Sequence, residues 1–181
     1  MKRSIFNWII ILAGASAAVI MILAVCGWMK FYRIPTKGMS PTVKPGDLIF
    51  STGGLLASSD YKRGQIVIFR PPHSPKNRYI QRIVAMPGDR IEVIDGKLAV
   101  NGSMLKSPEG HHSTPPVPAH GLPGFRKPEY PLTAPEGRMF LMGDNYSNSL
   151  DSRYFGPVEM KQVTHVPRAI AFPPSRAGAL K

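Results

Sequence analysis

GQIVIFRPPHSPKNRYIQRIVAMPGDRIEVIDGKLAVN, residues 64–101, decides the fold. Gln65–Arg70 and Tyr79–Ala85 are short runs of β-branched and aromatic residues. Gly64, Pro71-Pro72 and Pro87-Gly88 bound them, and both are too short for an ordinary helix, so they read as strands. Arg90–Ile94 and Lys97–Asn101 flank Asp95-Gly96. That dipeptide tolerates the positive φ angles a two-residue hairpin turn demands, so the segment reads as a β-hairpin.

Working outward, Asp47–Ser51 follows Pro45-Gly46, and Met139–Met142 and Ala169–Phe172 are further strand candidates. After residue 33 no long stretch has a helical period. The expectation is an all-β domain of short, mostly antiparallel strands. Ser107–Pro135 differs, with eight of the nineteen prolines and three of the five histidines. Proline removes backbone donors, so the segment is predicted to be a surface loop or extension rather than a central strand. His111, His112 and His120 lack the Cys or carboxylate spacing of a metal site, and no metal or cofactor is expected.

Toward the N-terminus, Ile5–Met29 carries no charge, and only Asn7 and Ser16 are clearly polar. As a helix it would extend roughly 35 Å, enough to cross a bilayer. Trp8 and Trp28 stand near its ends, where aromatic rings favour the interface. The run exceeds a leader's apolar region and has no clean small-x-small site after it, so an uncleaved anchor is predicted. The organisation expected is a short segment 1–4, an anchor 5–29, a β domain 30–174 and a tail 175–181. Lys2 and Arg3 before the anchor nearly balance Lys30 and Arg33 after it, so charge alone does not orient it. The net charge is +12. With an anchor present, anionic lipid is the expected partner for that charge, and no nucleic-acid recognition motif accompanies it. The single cysteine, Cys26, excludes an intrachain disulfide framework.

Four segments carry a resemblance. They are Ile34–Val43 (IPTKGMSPTV), Arg63–Phe69 (RGQIVIF), Tyr79–Arg90 (YIQRIVAMPGDR) and Gly143–Gly156 (GDNYSNSLDSRYFG). In this order they resemble the bacterial type I signal peptidase (leader peptidase) family, over residues 5–106 and 137–174. The family patterns are P-S-x-S-M-x-P-T-L, R-G-D-x-V-V-F, Y-I-K-R-x-x-x-x-P-G-D and G-D-N-x-x-x-S-x-D-S-R-x-x-G. The resemblance implies a single-pass protein of the bacterial inner (plasma) membrane with its β domain on the extracytoplasmic side. It also implies a signal peptide or exported precursor as partner.

The family cuts with a Ser–Lys dyad, in which serine needs a base and lysine serves only when burial lowers its pKa. The nucleophile position falls here on Gly38, which has no side chain. The base position falls on Gln81, whose amide does not take up a proton near neutral pH. Thr36 matches the family's oxyanion-hole serine and keeps the hydroxyl. Ser149 matches the residue that hydrogen-bonds the lysine, and Asp151 and Arg153 match a bracing pair, expected to share a face on a strand. Gly143 and Gly156 are expected at backbone conformations closed to other residues. Ser40 is the substitute nucleophile to consider, two residues along a supposed strand and so about 6–7 Å displaced.

A groove flanked by residues 34–38 and 79–85 would hold an extended peptide by strand addition. Ile34, Pro35, Thr36, Lys37, Ile80 and Ile83 are the residues expected to contact it. The reading is thus a binding module that engages precursors without cleaving them. An active peptidase using displaced residues such as Ser40, and a structural membrane protein with a closed groove, are the alternatives.

Overall fold

A computed structural model describes residues 2–54, 60–108, 110–111 and 128–180. Side chains of the N-terminal helix are described from Asn7 to Ile22, with Ala24 and the residues after Val25. The central part of the proline-rich segment, with His112 and His120, lies outside the described residues.

The first element is α1 (Lys2–Val25), followed by twelve strands: β1 (Met29–Arg33), β2 (Leu48–Gly53), β3 (Ile66–Phe69), β4 (Tyr79–Ala85), β5 (Arg90–Ile94), β6 (Lys97–Val100), β7 (Ser103–Met104), β8 (Leu132–Thr133), β9 (Arg138–Met142), β10 (Val158–Glu159), β11 (Val163–Phe172) and β12 (Gly178–Ala179). One further α-helix among the described residues, α2 (Ser152–Phe155), precedes β10. The pairing is antiparallel throughout. The larger sheet runs β1-β2-β11-β3-β4-β9-β10 with β12 on β11, and the smaller runs β7-β6-β5-β8. The domain is all-β, as the strand runs predicted. The hairpin forms as read: Asp95 and Gly96 both take positive φ, and Ile94 pairs with Lys97.

Several elements depart from the sequence reading, and β11 begins at Val163, six residues before the expected Ala169. β1 begins four residues after α1, with Gly27 (φ 71°) turning the chain between them, inside the stretch read as anchor. The end of the proline-rich segment is tied into the smaller sheet: Leu132 pairs with Ile91 in β8, and Ala134 is buried among Ile91, Leu98 and Phe140. Pro131 precedes β8 and Pro135 follows it, and β8 itself is a two-residue edge strand. The C-terminal tail folds back, with β12 on β11 and the Arg176 guanidinium forked onto the buried Asp47 carboxylate at 3.0 Å.

The described apolar side chains of α1 face no partner. Trp8, Ile9, Ile10, Ile11, Leu12 and Met21 are each more than half exposed. Over the described residues no helix is long and apolar enough to cross a membrane.

Two carboxylates, the buried Asp47 and the half-buried Asp89, link stability to pH. Burial alone would raise both Asp47 and Asp89. Donors outweigh it, from Arg176 and the Lys44 N–H on Asp47, and from the Met86 N–H, Asn101 and Arg63 on Asp89, and both pKa values lie below the usual carboxylate value. A carboxylate depressed in the folded state contributes stability above its unfolded pKa, about 4, and loses it as pH falls through the folded value. The thermal midpoint is therefore expected to hold level above about pH 5 and to fall below about pH 4. Asp47→Asn is expected to lower the plateau and flatten the fall, and an unaltered melting profile across pH would contradict the assignment.

Candidate functional site: a groove between residues 34–38 and strand β4

The groove begins with three side chains that pin an irregular segment to the core. Ile34, Met39 and Val43 are buried with Ile49, Ile66 and Ile170. Between them the chain is turned rather than extended, with the Ser40 N–H donating to Lys37 O at 3.0 Å and the Val43 N–H to Met39 O at 2.9 Å. The expected strand over 34–38 is thus absent. The i, i+2 relation assumed for Gly38 and Ser40 does not hold, and Ser40 is half-buried outside the groove wall.

β4 forms the opposite wall. Tyr79, Ile80 and Gln81 pair with Phe69, Ile68 and Val67 of β3. On the other side β9 takes up pairing only from Arg82 onward. Among the described residues, no strand occupies that edge of 79–81, an opening suited to an added strand. The space between the walls is about 450 Å³ and is lined by Ile34, Pro35, Thr36, Gly38, Ile80 and Gln81, with Ser149 and Leu150 closing one side. Four of the six residues expected to contact a peptide therefore line it. Lys37 does not. Ile83 is fully buried with Val67, Phe69 and Leu141, because its side chain lies in the sheet's own core.

The 143–156 segment holds this groove from behind. The Asn145 N–H donates to Gly38 O at 3.1 Å, and Asn145 Nδ2 donates to Lys37 O at 3.3 Å. Gly143 is glycine for lack of room, not for a left-handed backbone: a Cβ there would overlap the Gly38 carbonyl oxygen and Ser149 Oγ. Gly156 does take φ 78° as expected. Asp144 receives a forked pair from Arg82 (2.8 and 2.7 Å) and a hydrogen bond from Thr42, joining β4, the turn after Gly38 and the 143–156 segment.

Asp151 and Arg153 form an ion pair, but not across a strand face. Asp151 is the N-cap of α2 and takes the Arg153 N–H as well as its guanidinium, at 2.8 and 2.9 Å. Asp151 also accepts from the Gly143 N–H at 3.3 Å. The pair is buried, and the Arg153 guanidinium lies 5.6 Å from the Tyr146 ring centroid.

The chemistry available is limited. Gln81 is only 3% exposed; its Nε2 donates to Leu150 O at 2.7 Å, and its Oε1 has no partner among the described residues. Thr36 and Ser149 bring hydroxyls to the groove, yet its lining contains no Lys, His, Asp, Glu or Cys. Its phenols are no substitute: burial raises Tyr32 and Tyr79 above the ordinary phenol value. Tyr146 behind it is pushed up to about 12, chiefly by burial. No described group on the groove wall is suited to take a hydroxyl proton near neutral pH. Among the described residues no cluster is suited to a metal ion.

Sequence reasoning missed Tyr32, Arg33 and Arg78 on the wall. Tyr32 O–H donates to His165 Nδ1 at 3.1 Å, and His165 Nε2–H donates to Gly27 O at 3.1 Å. Gly27 O only accepts, which fixes that tautomer. Burial holds His165 below the usual imidazole value. The signal for Tyr32 and Arg33 was the aromatic pair Phe31-Tyr32 shortly after Gly27, hidden by its closeness to the apolar run.

Fold and site define an antiparallel β domain built around a groove open to an extended chain. A family model described as "Signal peptidase, peptidase S26" matches residues 5–172, and the chain belongs to that family. It is 29% identical over 175 residues to signal peptidase I of Bacillus licheniformis, covering 95% of this chain and 91% of that one. It is 32% identical over 183 residues to signal peptidase IB of Staphylococcus aureus strain COL, covering 90% and 87%. A solved signal peptidase I from Enterococcus faecalis V583 aligns at 30% identity with a TM-score of 0.43, over 59% of this chain and 96% of that one.

Proposed function

We propose that this chain binds signal peptides or exported precursors, extended in the groove, without cleaving them. The observation that carries this is the groove lining. Gly38 and Gln81 stand at the nucleophile and base positions, and no lysine or other base replaces Gln81 there. A hydroxyl without a base is a poor nucleophile. Ser40 as substitute is disfavoured, because it lies off the wall in a hydrogen-bonded turn. The free edge of Tyr79–Gln81 favours retained binding, since strand addition needs backbone groups rather than a dyad.

In this reading the apolar run 5–29, whose side chains are described only in part, anchors the protein as a single pass in the bacterial plasma membrane, with the β domain on the extracytoplasmic side. The bare apolar face of α1 supports it. The excess of basic residues suits anionic headgroups nearby.

The test is incubation of the full chain, in detergent or vesicles, with a preprotein bearing an Ala-x-Ala site. Intact preprotein that co-purifies with the chain is the expected result. Cleavage that vanishes in Ser40→Ala would restore the active-peptidase reading, and neither cleavage nor binding would leave a structural role.

A further inference from the structure

Two arginines stand on the groove wall with no acidic group among the described residues to neutralise them. Arg33 ends β1 and Arg78 immediately precedes β4. Both line the same space as Gly38 and Gln81, and that lining includes no carboxylate. Both side chains are exposed, and among the described residues neither has an acidic partner. Most other arginines near the groove are engaged: Arg82 on Asp144, Arg153 on Asp151, Arg176 on Asp47. The charge of Arg78 is felt at Tyr32 and at His165, which places it over the Tyr32 end of the groove.

From these positions we infer that the groove selects an extended peptide carrying an acidic residue, which Arg33 and Arg78 receive together. The inference rests on the peptide-binding reading above and adds the chemistry of the bound segment. Arg78 precedes Gln81 by three residues, about 10 Å along a strand. Arg33 precedes Gly38 by five, at most about 16 Å of chain. A peptide paired along Tyr79–Gln81, with a small residue over Gly38, therefore presents its carboxylate about three to five residues away. A guanidinium fork suits a carboxylate better than an ammonium does, and a wall bearing two cations and no anion repels lysine at the same place. A basic exposed face is ordinarily only solvated. What sets this one apart is that it borders a concave wall with an open strand edge.

The test measures binding of labelled Ala-x-Ala peptides to the full chain in non-ionic detergent, by fluorescence anisotropy. The peptides carry Asp, Asn or Lys three, four or five residues to either side of the Ala-x-Ala segment. Asp at one of these positions is expected to bind about fivefold tighter than Asn, with Lys weakest, and the preference is expected to fade at high salt. In Arg33→Glu/Arg78→Glu the order is expected to invert, Lys now binding tightest. That inversion also demonstrates an intact fold. Equal binding of Asp and Asn peptides would overturn the acidic preference while leaving the groove reading standing. No binding of any peptide would overturn both. An unaltered preference in the double variant, with loss of binding to anionic vesicles, would overturn it by assigning the arginines to lipid.

Discussion

Gly38→Ser combined with Gln81→Lys is expected to convert the chain into a peptidase, with cleavage of an Ala-x-Ala preprotein at least about 100-fold above background, the lower range for a positioned base. Room for the serine exists. A Cβ on Gly38 would lie 3.4 Å from Asn148 O and 3.9 Å from Ser149 Oγ, both ordinary contacts. Room for the lysine exists too, because Gln81 already fills a long, buried side-chain position. Burial there would depress an ammonium toward neutrality, which a lysine base requires. Leu150 O, now holding the Gln81 amide, and Ser149 on the same wall offer acceptors to orient it. Each single change is expected to give no cleavage, since serine without a base and a base without a nucleophile are both inert. Initial rates on a fluorogenic preprotein peptide check this. Cleavage by either single variant would show that a second partner was overlooked. A silent double variant that still binds peptide would show that the surrounding geometry has drifted beyond what a dyad tolerates.

The largest effect on stability is expected at Arg153. Arg153→Met leaves the Asp151 carboxylate, fully buried, without its counter-ion. Breaking one side of a buried pair costs about 3–5 kcal/mol. For a domain of this size that lowers the melting midpoint by roughly 10 °C. Because Asp151 also takes the Gly143 N–H, and Gly143 packs against the Gly38 carbonyl, the groove wall loosens as well. Peptide affinity is expected to fall in parallel. Asp151→Asn in the same chain is expected to recover part of the loss, since a neutral amide costs less to bury unpaired than a carboxylate. Thermal unfolding followed by circular dichroism measures this. A midpoint change below about 2 °C in Arg153→Met would mean the pair does not brace the fold.

The strands bounded by glycine and proline were legible because breakers mark both ends. β2, β3, β4 and the β5–β6 hairpin lie within a residue or two of their expected places. β1 was not legible, since its short K-F-Y-R run abuts an apolar helix and a single Gly27 between them is a weak stop signal beside Gly14 within the helix itself. β8 and β12 were not either: a two-residue strand is stabilised by its partner, here β5 and β11, and has no pattern of its own. Within the site, the positions that lost their chemistry were legible from motif spacing, and Gly38 and Gln81 do meet at one groove. The backbone around Gly38 was not. Ile34, Met39 and Val43 look like strand residues in sequence, yet they point into one core only because the chain turns between them. That turn is what takes Ser40 off the wall. The role of Gly143 was misjudged for a related reason: glycine serves close approach as well as positive φ, and only tertiary structure tells the two apart.

One measurement bears most directly on the claim that a precursor lies in the groove uncut. A photo-crosslinking residue placed at position 80, on the groove wall, is activated with the full chain bound to a labelled preprotein, and the adduct is weighed by mass spectrometry. The expected adduct is the chain plus one intact preprotein, leader included, crosslinked within or beside its Ala-x-Ala segment. An adduct carrying only a cleaved fragment, or none at a preprotein concentration that saturates a catalytic relative, would contradict it.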